Sequence, residues 1–64
     1  MSSALPKVAF DEPFKVVRDR WVVHLEREYL RGVLARTGGN VSAAADQAGL
    51  DRAYVYRLMK KHGL

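Results

Sequence analysis

The 64-residue chain has no cysteine, so neither a disulfide nor a thiolate metal site is available to brace it, and redox chemistry leaves its compartment undefined. No apolar run approaches the roughly 18 to 20 residues that a membrane-spanning helix requires. The first residues also lack the basic head, apolar centre and small-residue cleavage site of a signal peptide. Proline occurs only at Pro6 and Pro13, which leaves the rest of the chain without the strongest helix breaker. The two histidines, His24 and His62, stand too far apart to form a metal pair, and neither has a carboxylate at a short useful spacing. With no thiol and no room for a pocket of catalytic size, the expectation is a protein that is not an enzyme and takes no metal and no cofactor. One further absence is local: between Arg52 and His62 there is no acidic residue.

What is present is basic. The formal charge is +4 and the pI is near 9.9, which points to an anionic partner, and the distribution sharpens the point. From Met1 to Ala35 six basic residues stand against five acidic ones, whereas Arg52 to His62 carries four basic residues unopposed. The basicity is therefore concentrated at the end of the chain. A chain this short buries a small fraction of its surface, and association with a second copy is the usual remedy once disulfides and metals are excluded.

In chain order, residues 1–12 lack sustained periodicity and read as a flexible lead-in or linker, so any further sequence of a longer protein is expected before them. Asp11, Glu12 and Pro13 form a helix-start signature, with acids at the positive end of the dipole and proline in the first turn. From about Pro13 to Arg36 only Gly32 weakens the helix, and the length corresponds to roughly 35 Å. Its apolar residues fall on two sides. Phe14, Val17, Trp21, Val22, Leu25, Tyr29 and Val33 make one broad face, and Val16, Val23, Leu30 and Leu34 lie nearly opposite. Two faces require two partners: a following pair of helices at the C-terminal end, and for the Phe14, Val17, Trp21 and Leu25 face either a second copy or a folded-back N-terminal segment. The interleaved charges of this helix, Glu26, Arg27, Glu28 and Arg31 among them, read as ordinary solvated-face patterning.

Thr37, Gly38 and Gly39 end the long helix and Asn40 caps the next, about Val41 to Ala48. The two glycines do not make a phosphate-cradling loop, because no strand precedes them and no Lys-Ser/Thr follows. Apolar residues at Val41, Ala44, Ala48, Leu50, Val55 and Leu58, with Ala45 and Gly49 four apart, match a helix-turn-helix within 18 residues. A larger side chain at Ala45 would separate helices that must cross closely. Other small helical hairpins share that pattern, but the last helix, about residues 52–62, adds an outer side of Arg52, Ala53, Tyr54, Tyr56, Arg57, Lys60 and Lys61. Four cations and two tyrosines without an acid suit a groove bordered by phosphates.

The expected fold is therefore all-α: a long helix followed by a helix-turn-helix, paired through the long helix into a two-fold dimer, with the domain at residues 13–64. The expected partner is double-stranded DNA, and no membrane. Because the N-terminal part of a recognition helix reaches base edges, Arg52, Tyr54 and Tyr56 are the candidates for base or groove contacts. Asn40, Ser42, Arg57, Lys60 and Lys61 are the candidates for phosphates. One of the two tyrosines packs against the long helix on the competing reading. His62 reads as a packed, hydrogen-bonded residue near the helix end, which Gly63 closes. The other functional class left open is an interaction module whose basic helix docks an acidic protein surface.

The stretch LEREYLRGVLARTGGNVSAAADQAGLDRAYVYRLMKKHGL closely resembles the Fis-type helix-turn-helix that closes enhancer-binding activators of the NtrC class. The most specific pieces are Glu26, Tyr29 and Leu30 in E-x-x-YL, GGNVSAAA from Gly38 to Ala45, AGLDR from Ala48 to Arg52, and the terminal YRLMKKHGL; the resemblance runs from about Pro13 to Leu64. It implies a cytoplasmic bacterial regulator working with the sigma-54 form of RNA polymerase. It further implies a homodimer on an inverted repeat and a parent protein with an ATPase domain, and a receiver or other sensor domain, before Met1. Asn40, Ser42, Arg52, Tyr54, Tyr56, Arg57, Lys60 and Lys61 are the positions onto which the family's DNA contacts fall. Asp51 stands where Fis itself has asparagine, so a cap role is preferred there, and Fis has a further dimer helix upstream.

Overall fold

The computed structural model describes residues 4–64, and among them the chain forms three helices and no strand: α1 (Phe14–Arg36), α2 (Val41–Ala48) and α3 (Arg52–His62). Each boundary follows from local chemistry. Pro13 precedes α1 with φ −57° and ψ 142°, and its carbonyl accepts from the amides of Val16 and Val17 at 3.0 and 3.3 Å. Thr37 ends α1, its hydroxyl donating to the Val33 carbonyl at 2.9 Å. Asn40 caps α2, with its side-chain oxygen accepting from the Ala43 amide at 3.0 Å.

The turn between α2 and α3 is made by Gly49, whose φ of 70° lies in the left-handed region. Leu50 then donates back to the Ala45 carbonyl at 2.9 Å and Gly49 to Asp46 at 3.2 Å, the Schellman arrangement that satisfies the last carbonyls of a helix. Asp51 occupies the cap position of α3 with extended backbone, but its carboxylate accepts no bond from the first turn. The expected side-chain cap is therefore absent, and the helix begins on backbone geometry alone.

The core is small. Leu30 and Val33 of α1, Ala44 and Ala45 of α2, and Val55 and Leu58 of α3 are buried together, with Leu34, Val41, Leu50 and Met59 packed around them. Ala44 is fully enclosed, so the close packing of α2 on its neighbours depends on a side chain of one carbon. Val33, grouped by angle with the Trp21 face, packs beside Leu30 instead. It sits at the edge of that face, and the helix-turn-helix reaches far enough around α1 to enclose it.

The rest of α1 extends beyond this core. Phe14 is 77% exposed and Leu25 64%, and Val16, Val22 and Val23 are also open. Residues 4–13 fold back beside the start of this face, where Val17 and Trp21 are half-buried, and leave Phe14 and Leu25 exposed; residues 1–3 of the expected lead-in lie outside the described residues. Val8, Ala9 and Phe10 share a shallow cleft with Phe14 and Val17 at the start of α1. The lead-in is tied there by Glu12, whose carboxylate accepts two bonds from the Arg20 guanidinium at 2.8 Å each. Glu12 thus serves α1 through a side-chain pair rather than through the helix dipole. Trp21 is half-buried, with its ring edge-on to His24 at 6.2 Å, and its buried indole nitrogen has no acceptor among the described residues.

Candidate nucleic-acid interface

At about 100° per residue, one side of α3 is fixed by its buried residues, and the opposite side follows. Val55, Leu58 and the His62 side chain face inward. Directly away from them run Ala53, Tyr56, Arg57 and Lys60, at i, i+3, i+4 and i+7, all exposed. This row presents two cations and an aromatic ring with no carboxylate among them.

The flanks of α3 are held by its neighbours. On the α2 side, Arg52 donates to the Ser42 hydroxyl at 3.1 Å, joining residues from the first turn of each helix of the pair. Both are exposed, so the link leaves the other guanidinium nitrogens open. On the α1 side, Tyr54 borders an apolar groove with Leu25, Tyr29, Leu30, Leu50 and Leu58. The Arg57 guanidinium lies over the Tyr54 ring, 5.5 Å from its centre. Tyr54 is 38% exposed and Tyr56 54%, and of the two it is Tyr54 that leans toward α1.

The far end of α3 is tied down. Glu26 of α1 accepts on a single carboxylate oxygen from Lys61 Nζ at 3.0 Å and from His62 Nε2 at 3.0 Å. An ionised carboxylate only accepts, so Nε2 carries the proton in this arrangement. The Lys61 ammonium, then the His62 ring, hold the Glu26 carboxyl below the usual carboxylate value against the opposing effect of its partial burial. The His62 side chain is only 2% exposed, which makes it a packed, hydrogen-bonded residue at the helix end.

Asn40, Ser42, Arg52, Arg57 and Lys60 are all exposed along α3 and the start of α2. Asn40 has already committed its side-chain oxygen to the Ala43 amide, leaving only its NH2 group for another acceptor. Lys61, although half exposed, spends its charge on Glu26. The sequence reading missed that bond by treating Glu26 as a solvated-face charge. A signal was present: Glu26, Leu30 and Val33 stand at i, i+4 and i+7, so an acid on the core-facing row of α1 needs a partner across the interface.

One long and two short helices around one small core, with a glycine turn between the second and third and an acid-free basic row on the outside of the third, define a helix-turn-helix DNA-binding domain. The description of bacterial regulatory proteins of the Fis family matches residues 22–62. The chain belongs to that family, whose helix-turn-helix makes it a DNA-binding regulator. No curated protein and no solved structure matches it.

Proposed function

We propose that the chain binds double-stranded DNA sequence-specifically as the reading domain of a cytoplasmic transcriptional activator of the NtrC class, with α3 in the major groove. The observation that carries this reading is the outward row of α3, where Tyr56, Arg57 and Lys60 stand together without an acid. A groove lined on both sides by phosphates supplies the negative charge that the row lacks. Arg52, at the N-terminal end, reaches a base edge, with guanine as its bidentate partner. Tyr56 supplies the groove contact, and Tyr54 supports Arg57 from beneath. Arg57 and Lys60 hold phosphates, with Ser42 and the Asn40 amide serving the same backbone from α2. The motif resemblance supports the sigma-54 context and a parent protein carrying ATPase and receiver or sensor domains.

The reading head works as half of a pair. Phe14, Val17, Trp21 and Leu25 of α1 form the contact between two copies. Support comes from Phe14 and Leu25, which stay 77% and 64% exposed. The mid-helix glycine, Gly32, adds to this, because a Cβ built there meets nothing within 4 Å, leaving an open place on the same side of α1. A two-fold pair sets two α3 helices on half-sites about one turn of DNA apart. Selection of bound sequences from a random duplex pool tests the whole reading. The expected product is an inverted repeat. Recovery of no enriched sequence by a folded chain, or preference for an acidic protein surface over DNA, would overturn it.

A further inference from the structure

The Glu26 side chain joins α1 to α3 by two hydrogen bonds, and it does so at the last turn of α3. Its two donors are adjacent in sequence but differ in setting. His62 is enclosed, so its bond cannot be exchanged for water without opening the packing between the helices. Lys61 is half exposed on a flexible stem and would otherwise be available to a phosphate. Lys60, its neighbour on the outward row, is exposed and points away from the buried side of α3. The two lysines therefore have different roles despite sitting side by side in a basic run.

We propose that Glu26 is a positioning residue for DNA recognition: it fixes the end of α3 against α1 through His62 and keeps Lys61 out of the phosphate-contacting set. The inference rests on the DNA-binding reading of α3. A carboxylate already shared with an enclosed histidine stays in place when DNA approaches, so the Lys61 ammonium keeps a partner at 3.0 Å and the duplex gains no contact from it. The angle at which α3 leaves α1 is then set by Glu26, and the phosphate contacts come from Arg57 and Lys60.

The test compares Lys60→Met, Lys61→Met and Glu26→Gln chains by titration with the selected duplex at several salt concentrations. Each phosphate contact contributes about 0.9 to the slope of log affinity against log salt. Lys60→Met is expected to lower the slope by about one unit. Lys61→Met leaves it unchanged, and Glu26→Gln raises it as Lys61 is released. A fall for Lys61→Met equal to that for Lys60→Met would overturn the inference. Failure of the DNA reading itself is distinguishable, since the unaltered chain would then show no salt-dependent binding. The clamp is read separately by following the Glu26 carboxyl carbon by NMR. Its titration midpoint is expected below the ordinary carboxylate value of 4.5 in the unaltered chain, and to rise in Lys61→Met. An identical midpoint in both would remove Lys61 from the clamp.

Discussion

Arg52 and Glu26 grip α3 from opposite flanks and opposite ends, one through Ser42 of α2 and the other from α1. Replacing Arg52 by alanine is expected to weaken preferred sites by about 1 to 3 kcal/mol while leaving random duplex nearly unaffected. Comparative titration on both duplexes checks this, and an equal loss on the two would assign Arg52 to phosphate. Glu26 makes a prediction about pH. Its folded pKa lies below its ordinary 4.5, so the stability it contributes is complete above the unfolded value and is lost as pH falls through the lowered one. Thermal melts taken from about pH 6 downward through the ordinary carboxylate value of 4.5 should show the unaltered chain losing more of its melting temperature than Glu26→Gln. Glu12, held below its usual value by the bond to Arg20, acts in the same direction but is only partly buried and is screened by solvent. At the centre of the core, Ala44→Leu is expected to cost about 1 to 3 kcal/mol, read by denaturant unfolding, because no space exists for the added carbons.

Among the elements, the turn between α2 and α3 was the most legible in the sequence, since an alanine-rich helix, a glycine and an apolar residue at Leu50 specify both the close crossing and the reversal. Gly49→Ala is expected to destabilise the domain by about 1 to 2 kcal/mol through backbone strain alone, because the new Cβ would meet no atom within 4 Å. Chemical denaturation measures it, and a neutral result would mean the turn relaxes. Periodicity also exposed the double-sided character of α1, and the packing of its C-terminal part on the helix-turn-helix takes in Val33 from the edge of the broader face. A helical wheel gives the angle of a residue but not how far a neighbouring pair of helices wraps around it. The basic outer row was legible from charge alone. The ties at its flanks were less so. Glu26 needs a partner across the interface, but only the fold brings His62 to it across 36 residues. Tyr54 and Arg57, neighbours at i,i+3, show their stacking only in the side-chain geometry.

The whole molecule combines a small three-helix head with an α1 that projects past it, giving extents of 41 × 26 × 19 Å. A head that size has little core to spare, and Phe14 and Leu25 of α1 stay exposed beside it. Trp21→Arg is expected to shift sedimentation toward the monomer, and an unaltered mass would make that face intramolecular. The central claim, that the outward row of α3 meets DNA phosphates, is tested most directly by one measurement: duplex affinity across a salt series for the unaltered chain and for a chain carrying Arg57→Ala and Lys60→Ala together. The account predicts steep salt dependence for the first and a slope smaller by about two units for the second. Affinity insensitive to salt, or equal slopes for the two folded chains, would contradict it.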